Sequence, residues 1–273
     1  ATLHFRKDLT RMETNASSTS SPLRVTLISN AGLLLQYQGI TLMMDGIYGR
    51  EGHPFSNLSR DVWSEMLHGD SPFERIDYLL FSHAHPDHFS PEMTCEFLRH
   101  RRVKGIFFPD DPLVTRSGLV DQLKRSGTPS VALSTLSDHA SFQIEPGISV
   151  RAFSTRHLDK KFWDVRHFCY VLTFGEKKLL FTADADYTYE TFSEFSSVPL
   201  RSVFVNPLFF NALQKKKFFH GSFQTQSYCI YHVPFSEDDS LRMRPILAHE
   251  MVEWPSEKPE AAVLCDAFQH IEL

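Results

Sequence analysis

Four metal-binding types of side chain, His83, His85, Asp87 and His88, fall within six residues of the stretch FSHAHPDHFS, directly after the apolar run from Ile76 to Phe81. Few folds accommodate this. Imidazole and carboxylate groups must be carried at the tip of a rigid element if they are to converge on one ion. His83 and His85 are two apart, and at a strand end residues i and i+2 share a face. Pro86 cannot donate to a sheet ladder, so the strand is expected to stop there. Asp87 and His88 then fall in the turn leading to the next helix.

Six residues do not complete a centre for two ions, and the chain offers further ligands at the ends of distant apolar runs. His157 closes ISVRAFSTRH, Asp184 closes EKKLLFTAD, and His232 follows SYCIY. Each has a rival. Asp186 competes with Asp184, His167 with His157, and His220 and His249 with His232. His167 opens the run HFCYVLTF, which places it at a strand start, and His249 falls in a helical pattern.

Between these residues, strands alternate with helices. LRVTLISN, GLLLQYQG and TLMMDG read as short strands separated by turn residues, and SRDVWSEMLHG as a helix with a serine cap and a terminal glycine. PEMTCEFLRH opens with proline at the first helical position. PLVTRSGLVDQLKRSG and SEDDSLRMRPILAHEMVEW are expected to be helices. Residues 1–22 are Ser/Thr-rich without periodicity and read as a flexible leader, leaving 23–273 as one domain. The fold expected is α/β, with two sheets inside outer helical layers.

The chain carries a formal net charge of −5, which disfavours non-specific nucleic-acid binding. It has no apolar run long enough for a membrane span. Cys95, Cys169, Cys229 and Cys265 are widely spaced and are expected to be unpaired thiols. Together with the missing apolar leader, this makes the expected location cytoplasmic.

The order of these residues resembles the metallo-β-lactamase-fold metallohydrolases. That family carries an Asp after an early strand, then HxHxDH, a lone His, a lone Asp and a last His. The matching residues are Asp45 in TLMMDG, then His83, His85, Asp87, His88, His157, Asp184 and His232. The resemblance implies an αββα four-layer sandwich with two mixed β-sheets. It implies one ion on His83, His85 and His157 and a second on Asp87, His88 and His232. Asp184 would bridge them, and Asp45 would orient a ligand from behind. The family usually has Gly before the bridging Asp, where this chain has Ala183. The arrangement around Asp184 and His232 most resembles the lactonase and phosphodiesterase branch.

Two divalent ions, zinc before manganese or iron, would activate a bound hydroxide near neutral pH. Asp87 would orient that hydroxide and accept its proton. The expected reaction is hydrolysis of a small-molecule ester, lactone or phosphoester. Tyr48, His53, Phe55, Phe89, Phe209 and Phe210 are candidates for the substrate pocket, and the Lys-rich run Gln214 to His220 for a solvated face. The alternatives are a mononuclear iron persulfide-dioxygenase-like oxidoreductase, a nuclease of the same fold, and a binding module that has lost its chemistry.

Overall fold

The computed structural model of the chain describes residues 21–273, except 50, 135–139, 189, 216, 217 and 219–222. Most of the expected leader, His220 and part of the Lys-rich run lie outside the described residues.

The chain opens with a meander of three antiparallel strands, β1 (Arg24–Ser29), β2 (Gly32–Tyr37) and β3 (Ile40–Met44). It then crosses to β4 (Tyr78–Leu80), β5 (Gly105–Pro109) and β6 (Ser130–Leu133), all parallel to β3. The crossovers carry helices α1 (Arg60–His68), α2 (Pro91–His100), α3 (Pro112–Arg116) and α4 (Leu119–Ser126). The second half repeats the plan. Strands β7 (Ala140–Glu145), β8 (Ile148–Thr155), β9 (His167–Phe174) and β10 (Lys177–Phe181) form an antiparallel meander. Strands β11 (Ser202–Val205), β12 (Ser227–Ile230) and β13 (Glu260–Val263) follow in parallel. Helices α5 (Pro207–Gln214) and α6 (Met243–Val252) cover this half. The last strand, β14 (His270–Glu272), returns to pair with β1.

Strand alternation sorts the core into three apolar layers. Leu33, Leu35 and Met44 point inward, where they meet Tyr170, Leu172 and Phe181 of the facing sheet. Leu34 and Met43 point the other way, onto Trp63, Phe97 and Leu119. Val171, Leu180 and Val203 pack outward against Phe209, Phe210 and Leu247. Because both faces of each sheet are covered, the strands are near-continuous apolar runs. The result is the four-layer αββα sandwich. All four cysteines are free thiols.

Two expected helices differ. The one expected over 112–127 breaks into α3 and α4 at Gly118, which adopts the left-handed conformation (φ 83°). The one expected over 236–254 begins only at Met243, because the Asp239 carboxylate accepts from the Met243 and Arg244 amides and fixes a turn first. Strands β6 and β14 and helix α5 were not anticipated from the pattern.

Candidate metal centre

The His/Asp cluster does not lie on a strand. β4 ends at Leu80, and His83 through His88 form the loop beyond it. The His88 and Phe89 amides both donate to the His85 carbonyl, at 3.0 and 2.9 Å, so the chain makes one tight turn around Pro86. That turn, rather than strand alternation, gathers the side chains. Ser90 then caps α2 by accepting from the Met93 amide.

The second half supplies its residues from three separate loops. In the meander, β8 and β10 run in the same direction, and β12 is parallel to β10, so their C-terminal ends share one sheet edge. His157 lies two residues past β8 and bridges to Ala185. Asp184 lies three past β10. His232 lies two past β12, its amide donating to the Asn30 carbonyl at 3.2 Å.

These residues form two groups whose ligand atoms lie within 4.8 Å of one another: His83, His85 and His157; and Asp87, His88, Asp184 and His232. Asp184 faces both. Its Oδ2 is 3.3 Å from His88 Nε2, 3.6 Å from His157 Nε2 and 3.9 Å from His83 Nε2.

The donor atoms fit metal ions. His88 Nε2 and His232 Nε2 face each other at 2.9 Å, as do His83 Nε2 and His85 Nδ1 at 3.0 Å. Imidazole nitrogens that close require a shared proton or an ion. Nε2 of His85 and of His157 are buried without a hydrogen-bond partner. His157 Nδ1 accepts from the Asp159 amide at 3.0 Å, which fixes the orientation of the ring.

A buried network behind the ligands orients them. Asp45 Oδ2 accepts from His88 Nδ1 at 2.9 Å and from the Ser82 hydroxyl at 2.6 Å. The Ser82 oxygen in turn contacts His83 Nδ1 at 2.9 Å. One carboxylate thus fixes a histidine in each group, leaving both Nε2 atoms toward the centre.

His167 also lies here. A strand start looks remote from the other tips, but β9 is antiparallel to β8 and pairs His167 with Thr155 at the same edge. Its ring is fully buried, with Nδ1 on the Thr155 hydroxyl and Nε2 accepting from the Asp184 amide at 3.1 Å. It therefore holds the Asp184 backbone and is in neither ligand group. Asn206 holds the side chain, donating to Asp184 Oδ1 at 3.2 Å while capping α5. Among the rivals, Asp186 is paired with Arg156 at 2.7 Å. His249 is exposed on α6 beside Glu253.

The electrostatics differ between the groups. Burial and neighbouring imidazoles lower the pKa of His83 well below the usual histidine range, and that of His85 to about 4. For His88, burial acts the same way, but Asp87, Asp184 and Asp45 outweigh it and raise its pKa. Burial raises the carboxyls of Asp87 and Asp184. Their histidine neighbours more than reverse this, bringing Asp87 to about 2 and Asp184 well below its usual range.

The groups lie on the floor of a cavity of about 500 Å³. Of the expected pocket residues, His53 and Phe55 line it. Tyr48, Phe89, Phe209 and Phe210 do not. Tyr48 is buried with its hydroxyl on Ser29 and Ser56, Phe89 stacks on Phe81, and Phe209 and Phe210 fill the layer under α5. Their places beside the expected strand tips suggest a pocket role, but their side chains pack into the core instead. The cavity instead takes Leu158, Phe162 at the end of a short 3-10 turn (Lys160–Phe162) and Leu208 in the first turn of α5.

Residues 64–204, more than half of the chain, match the Beta-lactamase superfamily domain. A curated relative, the 4-amino-L-phenylalanyl-[CmlP-peptidyl-carrier-protein] 3-hydroxylase of Streptomyces venezuelae, is 28% identical over 167 residues, covering 58% of this chain and 28% of the relative. Among solved structures, Igni18, a metallo hydrolase from Ignicoccus hospitalis, superposes with a TM-score of 0.59 at 11% identity, covering 93% of this chain and 99% of that one. CmlA, a diiron beta-hydroxylase from Streptomyces venezuelae, gives 0.54 at 18% identity, covering 94% of this chain and 55% of that one. The chain thus spans about half of CmlA and just over a quarter of the curated relative. With the sandwich, the paired ligand groups and this match in agreement, the chain belongs to the beta-lactamase superfamily and has the metallo-β-lactamase fold.

Proposed function

We propose that the protein is a dinuclear metallohydrolase acting on a small-molecule ester, lactone or phosphoester. The observation that carries this is the pair of ligand groups, five imidazoles and two carboxylates, opening onto a cavity whose described lining contains no Ser, Thr, Cys or Tyr. With no hydroxyl or thiol side chain there, water is the reagent we assign. His83, His85 and His157 would hold one ion, Asp87, His88 and His232 the other, and Asp184 would lie between. Bound divalent ions supply Lewis acidity and make water acidic enough to react near neutral pH. The imidazole-rich donor set suits zinc first.

The chain's own residues do the rest. Asp87 lines the cavity and lies 3.3 Å from His232, where it accepts a hydrogen bond from the attacking water and takes its proton. Water oxygen bonds to the acyl carbon, the bond from that carbon to the leaving oxygen breaks, and the proton passes from Asp87 to the departing alkoxide. An acid and an alcohol result. Asn206 and His167 keep Asp184 in place throughout.

A second reading, a diiron oxygenase, is favoured by the 28% identity to the Streptomyces hydroxylase over 167 residues. Metal analysis of the purified protein separates the two. About two zinc ions per chain, with hydrolysis and no oxygen uptake, supports the hydrolase. About two iron ions with oxygen consumption supports the oxygenase and overturns our reading.

A further inference from the structure

We infer that the cavity selects carboxylic esters or lactones with an alkyl or aryl body and rejects substrates that carry a phosphate in their non-reacting part. This rests on the hydrolytic reading and narrows it.

The walls are apolar on both sides of the centre. Phe162 stands edge-on to His85 and His157, with ring centroids at 4.4 and 5.3 Å. Phe55 stands edge-on to His232 at 4.5 Å. Each ligand group therefore has an aromatic ring beside it, which leaves an apolar surface where the non-reacting part of a substrate must lie. Leu208 extends that surface from the first turn of α5. It is 55% exposed while lining the cavity, so a ligand that covers it removes apolar area from water. Leu158, Pro54 and Met243 continue the lining.

The same walls offer no anchor for phosphate. Recognition of a phosphate dianion calls for Arg or Lys, or for a set of free backbone N–H groups. Among the described lining residues the only Lys or Arg is Lys161. It is already engaged by Asp159 at 3.1 Å, and its ammonium lies 4.6 Å from the Phe162 ring centroid. The start of α5 does not substitute. Pro207 has no N–H, and Asn206 takes that of Phe209 at 2.9 Å. Asp159, the lining carboxylate outside the two ligand groups, adds negative charge to the wall away from the ions. Substrates whose non-reacting part carries a phosphate therefore fit poorly.

The test uses the metal-loaded protein with p-nitrophenyl esters from acetate to octanoate, beside the same esters carrying a phosphate at the far end of the acyl chain. We expect kcat/KM to rise about threefold per added methylene until the cavity is filled. The phosphorylated esters should run at least about a hundredfold below the best plain ester, and Leu208→Ser should flatten the chain-length series. In parallel, calorimetry measures affinity for methyl ketones of the same lengths, which cannot be hydrolysed. Ester hydrolysis without chain-length dependence, or turnover of the phosphorylated esters exceeding that of the plain ones, overturns the inference and leaves hydrolysis standing. Absence of all hydrolysis overturns the hydrolytic reading instead. Ketone affinity that does not rise with length overturns the apolar cavity in either case.

Discussion

The two halves of the molecule share a strand plan but feed the centre in opposite ways. The first half delivers His83, His85, Asp87 and His88 from one loop after β4. The second delivers His157, Asp184 and His232 from three loops after β8, β10 and β12. In the first half, one tight turn sets the ligand geometry. In the second, geometry depends on sheet register, so a slip of any strand would move a ligand to the wrong face. Each ion group draws on both kinds of support.

Asp184 is where the contrast is sharpest, because one side chain from the register-dependent half faces both groups. Asp184→Ala is expected to remove both ions and to cost more activity than the roughly 10–100-fold typical of a residue behind the ligands. His85→Ala should deplete one ion first. Metal per chain and kcat/KM for both variants check this, and equal retention of one ion in each would break the comparison.

Acid should separate the groups next. The carboxylates around His88 raise its pKa well above the ordinary histidine range, so an ion must displace its proton, and affinity at that group should keep climbing with pH above that range. His83 and His85 have lowered pKa values and are already neutral at pH 7, and His85 resists protonation until about pH 4. Chelator competition from pH 5 to 8, on His85→Ala and Asp87→Ala variants, reads the two slopes. Identical slopes would refute the distinction.

His167 tests the support behind the dispersed ligands. His167→Ala should weaken metal binding by about 10–100-fold, and His167→Gln, which keeps an acceptor for the Asp184 amide, should recover part of it. A purely structural role would lower the Tm of both variants and leave their metal Kd equal to wild type.

The smallest effect concerns Ala183, which has φ 45° where the family usually carries glycine. A left-handed residue with a Cβ is strained by about 1–2 kcal/mol, and glycine returns part of that relief through its freer unfolded state. Ala183→Gly should raise Tm by about 2 °C. A fall in Tm would mean the methyl's packing outweighs the strain.

The motif HAHPDH and the lone His157, Asp184 and His232 were legible because ligand types at the ends of apolar runs are rare and keep their order. The layers were legible because strands covered on both faces lose polar residues. The route by which His83 and His85 meet was not, since a one-turn loop and a strand end place i and i+2 alike. His167 was misplaced for want of strand direction, which periodicity does not carry. Tyr48, Phe89 and Phe209 show a further limit. Closeness to a strand tip says nothing about which side of the chain a ring takes, whereas Phe162 and Leu208 reach the cavity from a 3-10 turn and a helix that the pattern did not announce.

Both ligand groups take residues from each half of the chain, and this has a mechanical consequence. An ion seated in either group joins the edge of one sheet to the edge of the other, acting as a removable cross-link across the sandwich. Binding to the folded form alone adds stability by about 1.4 kcal/mol for each tenfold excess of free metal over its Kd. A chelator would then loosen the molecule as well as silence it, and the protein's lifetime against unfolding would follow the metal supply around it.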